Sequence, residues 1–262
     1  MNILDQLATH ARERVRADME RIPAEKMKAE CLRLGPGNGE AFARALKRPG
    51  LSFICEVKKA SPSKGIIAED FPYVRIAQEY ENAGADAVSC LTEPKWFLGS
   101  DRIFREIRET VSLPMLRKDF TVSDYQIYQA RVMGANAVLL ICAILDEQTL
   151  KAYIALCGEL GLAALTEAHD EAEIDMALRC GAEIIGVNNR NLKDFSVDFG
   201  NAARLRDQIP AGCVYVAESG VKTPEDVERL RGIGADALLV GETLMRAEDP
   251  AEMLRLLKGE HS

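Results

Sequence analysis

The alternation of apolar and polar positions divides the chain into short apolar runs separated by stretches with helical spacing. Runs that fit buried strands fall at 52–58, 86–91, 114–118, 137–141, 163–167, 184–188, 214–218 and 237–240. Between them lie amphipathic patterns such as Tyr73 to Ala83, Asp124 to Met133 and Asp146 to Leu160, and Thr223-Pro224-Glu225-Asp226 reads as an N-cap followed by proline in the first turn. An internal repeat sets the phase. Ala-Gly-Ala-Asp-Ala-Val at 83–88 returns as Met-Gly-Ala-Asn-Ala-Val at 133–138, Cys-Gly-Ala-Glu-Ile-Ile at 180–185 and Ile-Gly-Ala-Asp-Ala-Leu at 233–238. Each echo describes a glycine that ends a helix and an apolar run that begins a strand. The spacing leaves room for a second strand and helix between echoes. About eight strands therefore alternate with about eight helices, and the closed solution is an α/β fold of the parallel (β/α)8 TIM-barrel type.

Residues 1–50 precede this rhythm and read as a helical extension packed on the barrel of residues 51–262. Ile3, Leu4, Leu7, Ala8, Ala11 and Val15 have helical spacing, and Gly35-Pro36-Gly37-Asn38-Gly39 breaks the chain before a second short helix near 40–47. Such an extension is either a plug over one barrel end or a lid over an active site.

Composition narrows the function classes. A net charge of −8 disfavours nucleic acid as a partner, because phosphate backbones reward clustered Lys and Arg. Seven cysteines with no Cys-x-x-Cys pair suit buried thiols in a reducing compartment. The opening Met-Asn-Ile-Leu-Asp-Gln does not read as a signal peptide, and no apolar run is long enough to span a membrane, so a soluble cytoplasmic protein without membrane partners is expected. His10, His169 and His261 are scattered, no Cys/His ligand spacing occurs and no Gly-x-Ser-x-Gly elbow is present. Neither a metal nor a cofactor is expected.

The chemistry gathers at the strand ends, where residues two apart share a face. Ile54 is followed on its face by Glu56 and Lys58, Leu116 by Lys118, Leu165 by Glu167, Gly186 by Asn188 and Val216 by Glu218. If these faces point inward, five ionisable groups and an amide converge on the C-terminal rim. A structural ion-pair network is one reading, but buried pairs are often no more stabilising than apolar packing of similar volume. The C-terminal mouth is also where this architecture places its chemistry. Two lysines facing one cavity would lower each other's proton affinity while nearby carboxylates oppose the shift, a mixture suited to general acid–base work.

Further candidates surround that rim. Glu218-Ser219-Gly220 and Gly241-Glu242-Thr243 place a glycine at the exits of strands seven and eight, the common phosphate site of such barrels, where backbone N–H groups approach an anion. Glu242 is adverse beside a phosphate, so its backbone is expected to bind while its carboxylate points away. Ser61-Pro62-Ser63-Lys64-Gly65 reads as a polar, mobile loop able to add a hydroxyl. Lys95-Trp96-Phe97-Leu98-Gly99 brings the only Trp and a Phe near the mouth, as a loop anchor or as an aromatic wall for a ring-bearing substrate.

Taken in order, Glu56-Val57-Lys58-Lys59-Ala60-Ser61-Pro62-Ser63-Lys64-Gly65, Leu91-Thr92-Glu93, Arg117-Lys118-Asp119-Phe120, Gly186-Val187-Asn188-Asn189-Arg190-Asn191-Leu192 and Ala217-Glu218-Ser219-Gly220 resemble the indole-3-glycerol phosphate synthases of tryptophan biosynthesis. The resemblance runs from about residue 42 to 247 and is weaker over the first 40. It implies a phosphorylated aromatic substrate, 1-(2-carboxyphenylamino)-1-deoxyribulose 5-phosphate, closed to an indole with loss of carbon dioxide and water, without a cofactor. Other tryptophan-pathway enzymes become candidate partners. By position, it implies Lys118 as the general acid at the ketone oxygen with Glu167 steering the proton. Lys58 would face the substrate carboxylate and serve as acid in dehydration, Glu56 as the base there, and Asn188 would hold the reacting groups, with Glu218 in the same catalytic set. Ser61, Gly220 and Gly241 would hold the phosphate, Phe97, Phe120 and Leu139 would line the anthranilate pocket, and Arg190 and Ser219 would form its polar rim. Two alternatives keep the barrel: an aldolase-type site with Lys58 or Lys118 as Schiff-base nucleophile, and a non-catalytic barrel that binds a phosphorylated metabolite.

Overall fold

The computed structural model describes residues 3–190 and 199–260. Strands β1 (Ser52–Val57), β2 (Ala87–Leu91), β3 (Met115–Lys118), β4 (Ala137–Ile141), β5 (Ala163–Ala168), β6 (Ile184–Asn188), β7 (Val214–Glu218) and β8 (Ala237–Val240) form a closed parallel barrel. Each strand pairs with its sequence neighbours, and β1 closes on β8. The eight predicted runs are these eight strands, with edges that differ by no more than one residue. Side chains sort by the two-residue period. Ile54, Leu116, Leu165 and Val216 fill the barrel interior, while Phe53, Cys55, Met115, Ile185 and Tyr215 face the helices outside.

Those helices are α4 (Tyr73–Asn82), α5 (Asp101–Arg108), α6 (Asp124–Val132), α7 (Glu147–Glu159), α8 (Glu171–Arg179), α9 (Phe199–Arg206), α10 (Pro224–Gly232), α11 (Glu242–Arg246) and α12 (Pro250–Lys258), numbered after three that precede the barrel. Thr223 caps α10 in a capping box with Asp226, as its sequence predicts.

The repeat has a physical purpose at the bottom of the barrel. Gly84, Gly134, Gly181 and Gly234 each follow a helix and take φ between 80° and 86°, a left-handed turn that a Cβ would strain. At three of these four joints the polar residue two places on then ties the joint to the preceding strand. Asp86 Oδ2 accepts the Phe53 N–H at 2.9 Å, Asn136 Oδ1 that of Met115 at 2.9 Å, and Asp236 Oδ2 that of Tyr215 at 2.7 Å. The backbone N–H of each of these residues donates back to the same partner's carbonyl. Strand ends that would otherwise present orphan groups are thereby satisfied.

Before the barrel come α1 (Ile3–Arg21), α2 (Ala24–Arg33) and α3 (Gly39–Leu46). Only one helix was expected before Gly35. Pro23, with an extended ψ of 147°, lacks the N–H that would continue α1, and α2 buries only Met27 and Cys31, too little to give a clear apolar stripe. The two readings of the extension apply to different helices. Helix α3 plugs the floor: its Phe42 and Leu46 are fully buried against the interior at the strand starts, and Gly39 N–H donates to Gly161 O at 2.7 Å. Helix α1 covers the opposite, C-terminal mouth, where Arg14 forms a two-pronged pair with Asp119 at 2.6 and 3.1 Å just beyond β3.

Asp236→Ala is expected to lower unfolding free energy by about 1–3 kcal/mol in chemical denaturation, since it leaves the Tyr215 N–H without its acceptor. A change indistinguishable from zero would show that the joint is merely decorative.

Candidate active site

The C-terminal mouth encloses a cavity of about 530 Å³. It is lined by every predicted site residue: Glu56, Lys58, Ser61, Phe97, Lys118, Phe120, Leu139, Glu167, Asn188, Arg190, Glu218, Ser219, Gly220, Gly241 and Glu242. Ile3, Leu4 and Leu7 of α1, which no motif singled out, close its apolar side.

Strand register builds the centre. Asn188 stands beside Glu218, Glu167 beside Gly186 and Lys118 beside Leu91. The Lys118 ammonium donates to Glu167 Oε2 at 3.0 Å and to Glu218 Oε2 at 2.7 Å. Asn188 donates to Glu167 Oε1 at 3.1 Å, and its own Oδ1 accepts the Arg190 N–H at 3.0 Å. Lys58 pairs with Glu56 Oε1. Two glycines make these carboxylates possible. A Cβ on Gly186 would lie 2.1 Å from Glu218 Oε1, and one on Gly241 would lie 2.5 Å from Glu56 Oε1. Gly241, read from sequence as a turn beside an anion, therefore also leaves space for an acid.

The electrostatics differ sharply between the two carboxylates that share Lys118. Burial by itself would raise Glu167, but Lys118, His169 and Asn188 reverse this and hold it well below the usual carboxylate range. For Glu218, burial together with repulsion from Glu167 and Glu56 outweighs the attraction of Lys118 and pushes it up to about 7. Its Oε1 is buried with no hydrogen-bond partner among the described residues. Burial disfavours the Lys118 ammonium, yet Glu167, Glu218 and Glu56 prevail and hold it above its ordinary value. The mutual lowering expected of two facing lysines is thus overridden at Lys118, because three acids lie within its reach. A lysine held charged is also a poor Schiff-base nucleophile.

The periphery resolves several open readings. Trp96 and Phe97 have separate tasks. The buried Glu93 carboxylate accepts the N–H groups of Lys95, Trp96 and Phe97, turning the loop so that Phe97 faces Phe120 in the cavity at a ring separation of 6.1 Å. Trp96 instead meets His10 of α1 edge-on at 5.3 Å. The segment read as a mobile polar loop is a tight hairpin, Ala60–Ser61 pairing antiparallel with Gly65–Ile66. Glu242 lines the cavity, and its carboxylate is met by Arg246 at 3.4 Å, Arg190 at 3.5 Å and Lys64 at 3.7 Å, so its charge is answered by cations. Ser219 and Gly220 take φ of 68° and 98°, and Asn189 donates to the Ser219 carbonyl at 3.3 Å, fixing this exit from β7. Asn191 and Leu192 of the quoted motif, and His261, lie outside the described residues.

Sequence reasoning set His169 aside as one of three scattered histidines. It lies just past β5, two residues beyond Glu167, and its Nε2 is 3.3 Å from Glu167 Oε1. The same two-residue period that found the acids would have found it. Among the described residues no group of three or more His, Cys, Asp or Glu could hold a metal ion, and no helix is long and apolar enough to cross a membrane.

The raised Glu218 makes a test available. A carboxyl whose folded pKa lies above its unfolded value contributes stability below about pH 4.5 and loses it as pH rises through about 7. Glu218→Gln, which cannot ionise, should gain stability relative to the parent by up to about 3 kcal/mol between about pH 5 and about pH 8, measured by denaturation across that range. A constant difference would mean that Glu218 titrates normally.

Known proteins resemble the chain over nearly its whole length. The family model for indole-3-glycerol phosphate synthase matches residues 4–257. The chain is 51% identical over 257 residues to the indole-3-glycerol phosphate synthase of Ruminiclostridium cellulolyticum, covering 98% of this chain and 99% of that one. It is 49% identical to that of Endomicrobium trichonymphae, with 98% and 99% covered. Among solved structures, 3-hexulose-6-phosphate synthase from Salmonella typhimurium (TM-score 0.64, 13% identity, 80% of this chain and 100% of that one) shares the fold. So does thiamine phosphate pyrophosphorylase from Pyrococcus furiosus (TM-score 0.62, 15% identity, 83% and 96%). With a match across nearly its whole length and half its residues shared with curated members, the chain belongs to the indole-3-glycerol phosphate synthase family of lyases in tryptophan biosynthesis.

Proposed function

We propose how the residues of this mouth divide the family's chemistry, the conversion of 1-(2-carboxyphenylamino)-1-deoxyribulose 5-phosphate into indole-3-glycerol phosphate, carbon dioxide and water. The observation that carries the reading is the Lys118 ammonium shared between two buried carboxylates, at the centre of a cavity that is apolar on one side and basic on the other. The carboxyphenyl ring lies against Phe97, Phe120 and Leu139. The phosphate lies at Ser61, Gly220 and the Gly241–Glu242 backbone, with Arg190 and Ser219 on the polar rim. Gripping both ends folds the flexible ribulose chain so that its ketone approaches the ring, which supplies the orientation that a cyclisation requires.

As the ring carbon attacks, the ketone oxygen acquires negative charge and Lys118 delivers a proton to it. An alkoxide is strongly basic, so a lysine held above its ordinary value is still matched to it. Glu218, near neutrality and 2.7 Å from Nζ, is placed to return the proton, while Glu167 keeps the ammonium in position. Loss of carbon dioxide restores the aromatic ring. Lys58 then protonates the departing hydroxyl, Glu56 takes the carbon-bound proton, and water leaves with Asn188 holding the reacting groups. Residues 1–50 act as an extension serving the barrel of 51–262. The acidic chain and its seven free cysteines support a cytoplasmic setting, in which other tryptophan-pathway enzymes supply the substrate and consume the product.

Supplying this substrate and following indole fluorescence together with carbon dioxide release tests the scheme. Lys118→Ala should abolish turnover while leaving substrate binding largely intact; near-normal turnover would sink the assignment of the acid. Borohydride with substrate should leave no adduct on Lys58 or Lys118 by mass spectrometry. Gly186→Ala, whose methyl would displace Glu218 from Lys118, should lower kcat by about 100-fold in a folded protein.

A further inference from the structure

The scheme above leaves one partly buried titratable group, next to the residues of the mouth, without a task. We propose that His169 is a positioning residue for the reaction: its imidazolium, clamped between Glu173 and Glu167, fixes Glu167 as the permanent anion beside Lys118 and so leaves Glu218 as the carboxyl that exchanges a proton. The inference rests on the reading of Lys118 and its two acids just given.

Geometry carries it. Both ring nitrogens face carboxylate oxygens, Nδ1 at 3.1 Å from Glu173 Oε2 and Nε2 at 3.3 Å from Glu167 Oε1. The first contact is a hydrogen bond, whereas Nε2 approaches Glu167 out of line for one, as an ion-pair contact. A neutral imidazole has one N–H and one lone pair, so one nitrogen would present electron density to an anion; only the imidazolium suits both sides. The His169 backbone N–H also donates to Glu173 Oε2 at 2.8 Å, and Asn201 of α9 donates to the His169 carbonyl at 3.2 Å, so ring and backbone are both held.

The groups around the imidazole reinforce the assignment. Strand β5 contributes Glu167, helix α8 contributes Glu173, and Lys118 of β3 and Glu218 of β7 lie beyond Glu167. Cys142, in the short helical turn after β4, sits against the Glu173 carbonyl, its thiol kept neutral by burial and then by Glu173 and Glu167. Two acids thus face the ring and no ionised thiol competes. Burial lowers the histidine, but its contacts with Glu167 and Glu173 prevail and raise it to about 10.

The consequence is an asymmetry that Lys118 alone cannot create. Glu167 touches Lys118, His169 and Asn188, whereas Glu218 touches Lys118 and keeps one oxygen unpartnered among the described residues. When one cation serves two like charges, the carboxylate with a second cation stays ionised and the other takes the proton.

His169→Gln preserves size and a donor but removes the charge. We expect kcat to fall about 10- to 100-fold with KM little changed. The apparent pKa near neutrality in the kcat–pH profile should move upward, because losing a positive charge makes both acids easier to protonate. Imidazole proton resonances give a readout separate from turnover: His169 should keep its imidazolium signature beyond about pH 8, and Glu173→Gln or Glu167→Gln should bring its titration toward the ordinary histidine range. Ordinary titration of His169 in the parent protein, or an unchanged profile in folded His169→Gln, overturns the proposal. Should His169→Gln not fold, Glu173→Gln carries the same kinetic expectation in smaller measure. Turnover surviving in Lys118→Ala would instead overturn the underlying scheme, while the His169 titration would still report whether the clamp exists.

Discussion

Lys118 reaches Glu167 and Glu218 across the mouth because β3, β5 and β7 are alternate strands of a closed barrel, and side chains from alternate strands meet in one layer. One ammonium between two buried carboxylates leaves an excess negative charge that burial keeps poorly screened. The protein accommodates it by making the two acids unequal. Glu167 is surrounded by donors, whereas Glu218 is packed into the space that Gly186 leaves and rises toward neutrality. The missing side chain at 186 is therefore as much a part of the electrostatics as the charges themselves.

The same constraint explains how the rest of the rim is spaced. Glu56 repeats the arrangement on β1, with Lys58 as its cation and Gly241 as its clearance. Farther out, Glu242 collects Arg190, Arg246 and Lys64. This cluster is drawn from three strand exits, Lys64 from the hairpin after β1, Arg190 just past β6 and Arg246 from α11 after β8, so the charge of Glu242 is answered from both sides of the rim.

How much of this could be read from the sequence follows from the range of the interactions involved. The strands were legible because inward and outward positions alternate, and the joints because Gly84 and its echoes must adopt a left-handed φ. The rim residues were legible because polar groups on an otherwise apolar strand face are costly unless used. Helix α2 was hidden by its two-residue apolar face and by a stop at Pro23 that resembles any loop proline. The division between Trp96 and Phe97 depends on Glu93 gathering three successive N–H groups, which no local pattern announces. Neither could the sequence reveal that Gly186 faces Glu218, since that contact joins neighbouring strands 32 residues apart in number. From sequence the extension reads equally as plug or lid, because amphipathic spacing gives a helix a buried face without saying what buries it.

Helix α1 shows why that last ambiguity matters. Ile3, Leu4 and Leu7 pack with Phe97, Phe120 and Leu139 and complete the apolar lining of the cavity that holds Lys118 and its acids. Charge interactions weaken as water enters, so the difference between Glu167 and Glu218 depends on how well the mouth is covered. Arg14, gripping Asp119 one residue beyond Lys118, ties that cover to the strand that carries the ammonium. Asp119 is itself held low by Arg14 against the cost of its burial, which makes it a firm anchor. The cover and the charge it shelters are thus joined through adjacent residues of one strand end, so a displacement of α1 would admit water and disturb Lys118 together.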